Sequence, residues 1–326
     1  MLPSQRSQHA LTMLLFTLSL NFPLTLSQMS GNPVIDGWYA DPEARVYEGA
    51  YYIYPTVSTV FENQTYYEAF TSPDLLTWEN VGRILDFADI PWTTNRAAWA
   101  PSVGHKDGTY YLYFSAGDGV GIGVASSPSP AGPFKDVLGE PLVAGTHFGA
   151  QAIDAMVFMD GEGPEGGDGS GKNWLYWGGW GHAVVAELGD DMVSFKSEFL
   201  EITPDEEYVE GPWMLKRRGV YYFMYSVGGW TDGTYGVKYM IADSPTGPFR
   251  GPAKKILSGD PAVGTGAGHH SVFHVGDDYY IAYHRRFPDD NERDHRVTCI
   301  DRMYFTADGE IEIVRITVEG VEGRQL

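Results

Sequence analysis

The chain has 326 residues, 43 acidic against 22 basic side chains, and a formal net charge of −21. So acidic a surface repels nucleic acid and anionic membranes, which sets both aside as partners. Forty glycines and twenty prolines, with 43% hydrophobic and 14% aromatic residues, suit a large core wrapped by tight turns better than long helices.

Residues 1–27 read as a secretory signal peptide: Arg6 gives a weakly positive start, Ala10 to Leu20 an apolar run, and Thr25-Leu26-Ser27 a small-residue exit. The run is too short to span a bilayer. The expectation is a secreted, extracellular protein with one domain over residues 28–326. Cys299 is the only cysteine, so no intramolecular disulfide exists, and its place in Val-Thr-Cys-Ile-Asp reads as a buried strand position. Asn63-Gln64-Thr65 is the single N-glycosylation sequon.

From residue 39 onward a unit recurs five times. A short polar tip precedes an aromatic strand, nine to eleven residues later in four of the five cases. The tips are Tyr39-Ala40-Asp41-Pro42, Trp99-Ala100-Pro101, Ile153-Asp154-Ala155, Val209-Glu210-Gly211-Pro212 and Gly268-His269-His270-Ser271. The strands begin at Tyr51, Tyr110, Trp174, Tyr221 and Tyr279, and the Gly161 to Gly171 insert, read as a flexible turn, stretches the third interval. Ser-Pro and Gly-Pro-Phe turns at 71–78, 126–134 and 243–249, with Gly189 to Phe195 in their place in the third unit, lead into an outer strand. Cys299 to Thr306 and Glu310 to Thr317, about the Asp308-Gly309 turn, read as a last hairpin. No 3.6-residue apolar period is sustained, so helices should be few. Repetition of short strands at this period is the mark of a radial all-β fold, whose equivalent positions converge on one axis.

Convergence gives Asp41, Asp154 and Glu210 a meaning that none has alone. Each by itself is ordinary turn chemistry. Three carboxylates in one wet pocket divide roles by pKa: one stays ionised, one holds a proton, and a third raises the acid's pKa by like-charge repulsion. That is the equipment of glycoside hydrolysis, which requires no cofactor.

The five tips, in order, resemble the motif set of glycoside hydrolase family 43. The resemblance implies a five-bladed β-propeller acting on arabinose- and xylose-containing plant polysaccharides. It implies Asp41 as general base, Glu210 as general acid and Asp154 as the residue that orients that acid and raises its pKa, with inversion at the anomeric carbon. Ala155 departs from the pattern, where a proline often follows the aspartate. The stretches Trp38 to Arg45 and His295 to Tyr304 resemble the branch of β-xylosidases and α-L-arabinofuranosidases. The expected substrates are therefore xylo-oligosaccharides, arabinoxylan or arabinan, with exo-acting β-1,4-xylosidase and α-L-arabinofuranosidase activity preferred.

The alternatives are a dedicated debranching arabinofuranosidase, a non-catalytic carbohydrate-binding propeller, and a retaining enzyme with Asp41 as nucleophile. Trp99 is read either as a sugar platform or as core, and Arg285 as an arginine that reaches the sugar. His270, with His269, is read either as a ligand of a channel cation such as Ca²⁺ or as a hydrogen-bonding residue at the pocket floor. Trp177, Trp180 and Trp230 are pocket wall or blade filler.

Overall fold

A computed structural model of the protein describes residues 28–161 and 171–326. The expected signal peptide and the interior of the Gly-rich insert lie outside the described residues.

Five antiparallel sheets follow one another along the chain. Blade I holds β1 (Tyr39–Tyr47), β2 (Ala50–Val57), β3 (Tyr66–Ser72) and β4 (Glu79–Asp86). Blade II holds β5 (Trp99–Lys106), β6 (Thr109–Ala116) and β7 (Gly121–Ser127), with short β8 (Lys135–Asp136) and β9 (Val143–Ala144) both paired to β7. Blade III holds β10 (Met156–Asp160), β11 (Lys172–Trp177), β12 (Val184–Leu188) and β13 (Leu200–Glu201). Blade IV holds β14 (Glu210–Arg217), β15 (Val220–Val227), β16 (Gly236–Ala242) and β17 (Arg250–Ser258). Blade V has three strands, β18 (Thr265–Val275), β19 (Asp278–Arg286) and β20 (Val297–Met303). The first strands of successive blades touch in a closed ring, β1 to β5 to β10 to β14 to β18 and back to β1. The protein is thus a five-bladed β-propeller, and three 3₁₀ turns are the only helical pieces among the described residues.

The aromatic second strands fill the wedges between blades. Alternation along β2 sends Tyr51 and Ile53 into the core shared with blade V, and Tyr52 and Tyr54 into the core shared with blade II. Each such buried side chain contributes about 1.5–3 kcal/mol.

The ends of the chain close the ring. Val34 N–H donates to Thr298 O, and the Asn32 side chain accepts from Ile300 N–H and donates to Ile300 O, so residues 32–34 line the free edge of β20. The last hairpin differs from expectation. The Asp308-Gly309 turn forms, with one bridge from Phe305 to Ile311, but residues 312–317 form no strand with β20. Val314 N–H bonds Ile256 O of β17 instead, because Ile311, Val314 and Ile316 bury their side chains in the core of blades III to V.

Every first strand enters its blade through the same kink. One residue takes a left-handed conformation: Asp41 (φ 49°), Ala100 (37°), Asp154 (59°), Gly211 (62°) and His269 (41°). Register shifts accompany it at Ala40/Glu43, Trp99/Ser102, Glu210/Trp213 and Gly268/His270, as in a β-bulge. Four of these residues are not glycine, and such strain persists where the surroundings over-determine it.

The surroundings are a hydrogen bond from each kinked amide to the preceding blade. Ala100 N–H donates to Thr56 Oγ1 (2.8 Å), Asp154 N–H to Ser115 Oγ (3.0 Å) and His269 N–H to Ser226 Oγ (3.2 Å). Asp41 N–H donates to His284 Nδ1 (3.1 Å). The fifth acceptor position, across from Ile153, is Gly178, which has no side chain, and Gly211 N–H donates to Asp154 Oδ2 (3.1 Å) instead.

Candidate active site

The kinks place the tips of the first strands at one end of the central axis. A pocket of about 370 Å³ opens there, lined by Asp41, Asp154, Glu210, His269 and Arg296 together with Phe61, Trp99, Trp180 and Trp230. Asp41 and Asp154 are structural equivalents at the left-handed position. Glu210 stands one residue earlier, beside Gly211, so it is out of step with the two aspartates although the motifs suggest matching offsets. Its longer side chain reaches the pocket all the same.

Three distinct environments surround the three carboxylates. Asp41 Oδ1 lies 3.2 Å from Arg296 Nη1, 3.2 Å from His284 Nδ1 and 3.4 Å from His269 Nδ1. Burial would raise its pKa, but the Arg296 guanidinium, then the adjacent His269 and His284 rings, hold it far below the ordinary carboxylate range. Burial also lowers the pKa of both imidazoles, that of His284 to about 3, so the lasting positive charge is that of Arg296. Asp41 is therefore ionised across the working range.

Glu210 is pushed up to about 7 by burial, against a hydrogen bond from Tyr235 OH to its Oε1 (2.7 Å), with Asp41 adding to the rise and Arg296 opposing it. Asp154 is raised well above the usual range by burial and by its neighbours Glu210 and Asp41, against the amide of Gly211. Asp154 and Glu210 titrate as a pair, and the pair keeps a proton near neutrality. An ionised carboxylate thus faces a protonated pair across one pocket, an arrangement able to take a proton from water and give one to a leaving oxygen.

Trp99 lines the pocket, its indole N–H held by Gln64 Oε1 and its ring packed edge-on to Phe61 at 4.8 Å, so an aromatic face is presented beside the carboxylates. Trp180 and Trp230 also line it, whereas Trp177 is fully buried blade filler.

Two expectations are corrected. His270 does not line the pocket. The kink at His269 turns that ring into the pocket and sends His270 into a narrow axial space of about 20 Å³ beneath, where neither ring nitrogen has a hydrogen-bond partner. As a cation site this space is poor in donors. Glu43 Oε1 is engaged by Val103 N–H and Arg45, and no group of three or more His, Cys, Asp or Glu with ligand spacing occurs among the described residues. Ca²⁺ takes six to eight oxygen ligands, so the protein side fits only a largely hydrated ion resting on His270.

Arg285 does not line the pocket either. It is buried in blade V, with Nη2 donating to Asn32 O and its guanidinium over Phe287 at 5.4 Å. Its strand neighbour His284 points to Asp41, and alternation carries Arg285 to the other face. The guanidinium in the pocket is that of Arg296, which follows the loop between β19 and β20, donates to Ser58 Oγ and Asp41 Oδ1, and lies over Trp230 at 5.1 Å. Sequence reasoning missed Arg296, Tyr235 and His284. Arg296 and His284 lie in or beside quoted motifs but carry no spacing signal of their own. Asn63 is exposed in the turn beside Phe61, and Cys299 is buried, as expected.

The sequence profile of glycosyl hydrolases family 43 matches residues 30–311. The chain belongs to that family. It is 60% identical over 314 residues to the β-D-galactofuranosidase xynD of Aspergillus niger, covering 93% of this chain and 90% of that one. It is 30% identical to xylosidase/arabinosidase 43A of Humicola insolens, covering 86% and 98%. Among solved structures, a family 43 arabinoxylan arabinofuranohydrolase from Bacillus subtilis in complex with cellotetraose superposes with a TM-score of 0.75 at 27% identity, over 91% of this chain and 71% of that one. The β-xylosidase/α-arabinofuranosidase CoXyl43 from a compost metagenome, with xylotriose and in a calcium-free form, gives 0.71 at 28%, over 88% and 98%. The chain is a family 43 glycoside hydrolase.

Proposed function

We propose that this enzyme removes terminal furanosyl residues, β-D-galactofuranosyl and α-L-arabinofuranosyl, with inversion. The observation that carries the chemistry is the split among the carboxylates, with Asp41 held ionised by Arg296 and Glu210 raised to about 7. A water on the far side of the sugar gives its proton to Asp41 as its oxygen bonds the anomeric carbon. The glycosidic C–O bond breaks, and the leaving oxygen takes the proton of Glu210. Asp154 accepts the Gly211 N–H beside the acid and titrates together with it, which orients the acid's backbone. Inversion needs the two carboxyls roughly 6.5–9.5 Å apart, with room for that water.

The similarity to a protein named as a β-D-galactofuranosidase supports the furanoside preference. β-D-Galactofuranose carries the ring configuration of α-L-arabinofuranose with one more exocyclic carbon, so one pocket suits both. The pocket lies at the small end of ligand cavities, in keeping with a terminal sugar. Exo-β-xylosidase activity is the second reading, favoured by relatives named xylosidase/arabinosidase. We further propose export through residues 1–27, tested by N-terminal sequencing of the protein from culture fluid. A hydrated Ca²⁺ on His270 would add positive charge to the axis, and no step above depends on it.

The deciding measurement compares kcat/KM on 4-nitrophenyl β-D-galactofuranoside, α-L-arabinofuranoside and β-D-xylopyranoside, with the anomer first released read by NMR. A furanoside preference with inverted product is expected. A dominant xylopyranoside rate overturns the preference, and a retained product overturns the mechanism.

A further inference from the structure

The five amide bonds to the kinks make His284 conspicuous. Three of the equivalent acceptors are hydroxyls, those of Thr56, Ser115 and Ser226, so a short hydroxyl suffices to hold a kink. His284 is larger than that task demands. Its Nδ1 reaches two atoms of one residue, 3.1 Å from the Asp41 amide nitrogen and 3.2 Å from Asp41 Oδ1, while its Nε2 has no partner. The ring is wholly buried.

Its other face meets the acid's own partner. The rings of His284 and Tyr235 stack with centroids 5.6 Å apart and planes 13° from parallel, and Tyr235 OH donates to Glu210 Oε1. Gly268, opposite His284 across the sheet, makes the stack spatially feasible, since a Cβ there would stand 2.4 Å from Tyr235 Cδ1. Base and acid are therefore joined by a continuous path of contacts from Asp41 through His284 and Tyr235 to Glu210.

We propose that His284 and Tyr235 form a strut that sets the spacing between Asp41 and Glu210, with His284 the positioning residue of the base. The proposal rests on Asp41 as base and Glu210 as acid. Spacing matters because an inverting site must hold one water between its carboxylate and the sugar. Misplacement of the order of 1 Å costs roughly 10²-fold in rate.

The titratable and charged groups around His284 are Asp41, His269, Arg296 and Tyr235. The imidazole is neutral there and its Nδ1 accepts the Asp41 amide, so it holds the backbone of Asp41 and packs beside its carboxylate without giving it a proton. Arg296 keeps Asp41 ionised with or without that ring, so loss of the ring lowers kcat across the pH range and leaves the shape of the profile unchanged. Loss of the Tyr235 hydroxyl raises the pKa of Glu210 and moves the basic limb to higher pH.

The experiment follows kcat, KM and the basic limb on 4-nitrophenyl α-L-arabinofuranoside, with thermal melting as the check on folding. His284→Ser puts a hydroxyl in place of the ring, as at three other seams. It is expected to lose about 30-fold in kcat with KM within about threefold and the pH profile unmoved; the kcat loss stays below the roughly 10²–10⁴-fold of losing a general base outright. Thr56→Ser, the matching change at a plain seam, leaves kcat within about twofold. Tyr235→Phe keeps the stack and shifts only the basic limb. Should His284→Ser not fold, His284→Asn retains a polar atom near the Nδ1 position without the stack, and a similar fall in kcat at unchanged KM is expected. Unchanged kcat in the folded His284 variant, beside an inactive Asp41→Asn, overturns the strut alone. A fully active Asp41→Asn overturns the assignment of the base.

Discussion

The seams between blades I and II, II and III, and IV and V are alike: a hydroxyl on a second strand accepts the amide of the next blade's kink. The seams V–I and III–IV depart from this pattern in opposite ways. At V–I the hydroxyl has grown into the imidazole of His284, which touches Asp41. At III–IV it has shrunk to Gly178, and the Asp154 carboxylate takes over the amide of Gly211, next to Glu210. The two irregular seams are those that hold the carboxylates facing each other. A repeated fold supplies five nearly identical kinks, and reactivity arises where the support of a kink has been altered.

The comparison is broken most severely at seam V–I. Asp41→Asn keeps size and amide but cannot take a proton from water, so kcat should fall roughly 10²–10⁴-fold. Sugar binding, followed by calorimetry with arabinose oligosaccharides, should survive. Appreciable turnover would remove Asp41 from the role of base. In the unaltered enzyme the signs are fixed by the two directions of shift. The low pKa of Asp41 keeps the acid side of the profile active, and activity falls as pH rises through about 7, where Glu210 gives up its proton.

At seam III–IV the expected loss depends on the leaving group. Glu210→Ala should lower kcat/KM on natural oligosaccharides by about 10²-fold or more, and much less on 4-nitrophenyl glycosides, whose phenolate leaves without proton donation. Equal losses on both would argue against Glu210 as the acid. The basic limb near pH 7 should also disappear, because the group that titrates there is gone.

The repeat itself was legible in the amino-acid sequence, because the aromatic strands alternate and the tips recur between them. Asp41, Asp154 and Glu210 were singled out by that recurrence, and the structure brings all three to one pocket. Their exact phase was not legible. Whether a tip residue adopts a left-handed conformation depends on its amide partner in another blade, about 40 to 240 residues away in the chain, as with Ser115 and Asp154 or His284 and Asp41. The same long-range dependence explains why Arg285 was singled out and Arg296 was not. Both lie near the fifth aromatic strand, and only the fold shows that alternation buries one while the loop carries the other back to Asp41. His270 was confused with His269 because the kink between them reverses the direction that simple alternation assigns.

A stability test sharpens the contrast at Gly178. Its φ is 142°, and a Cβ there would meet His182 O at 2.1 Å, a backbone atom that cannot swing aside. Gly178→Ala should cost about 3 kcal/mol, from an unfavourable conformation and overpacking together. Denaturant unfolding measures it, and a cost under about 1 kcal/mol would mean that the seam relaxes freely.

The smallest effect belongs to a plain seam. Thr56→Ala leaves the buried amide of Ala100 without its acceptor, which costs about 1 to 2 kcal/mol. Ala100 carries no reactive group, and Trp99 before it is fixed separately by Gln64 and Phe61. Thr56→Ala should therefore melt earlier with kcat on 4-nitrophenyl α-L-arabinofuranoside within about twofold, provided the seams act independently as distant sites do. A large fall in kcat with little loss of stability would mean that a plain seam also sets the pocket. The division between supporting and reactive seams would then dissolve into one mechanically coupled ring.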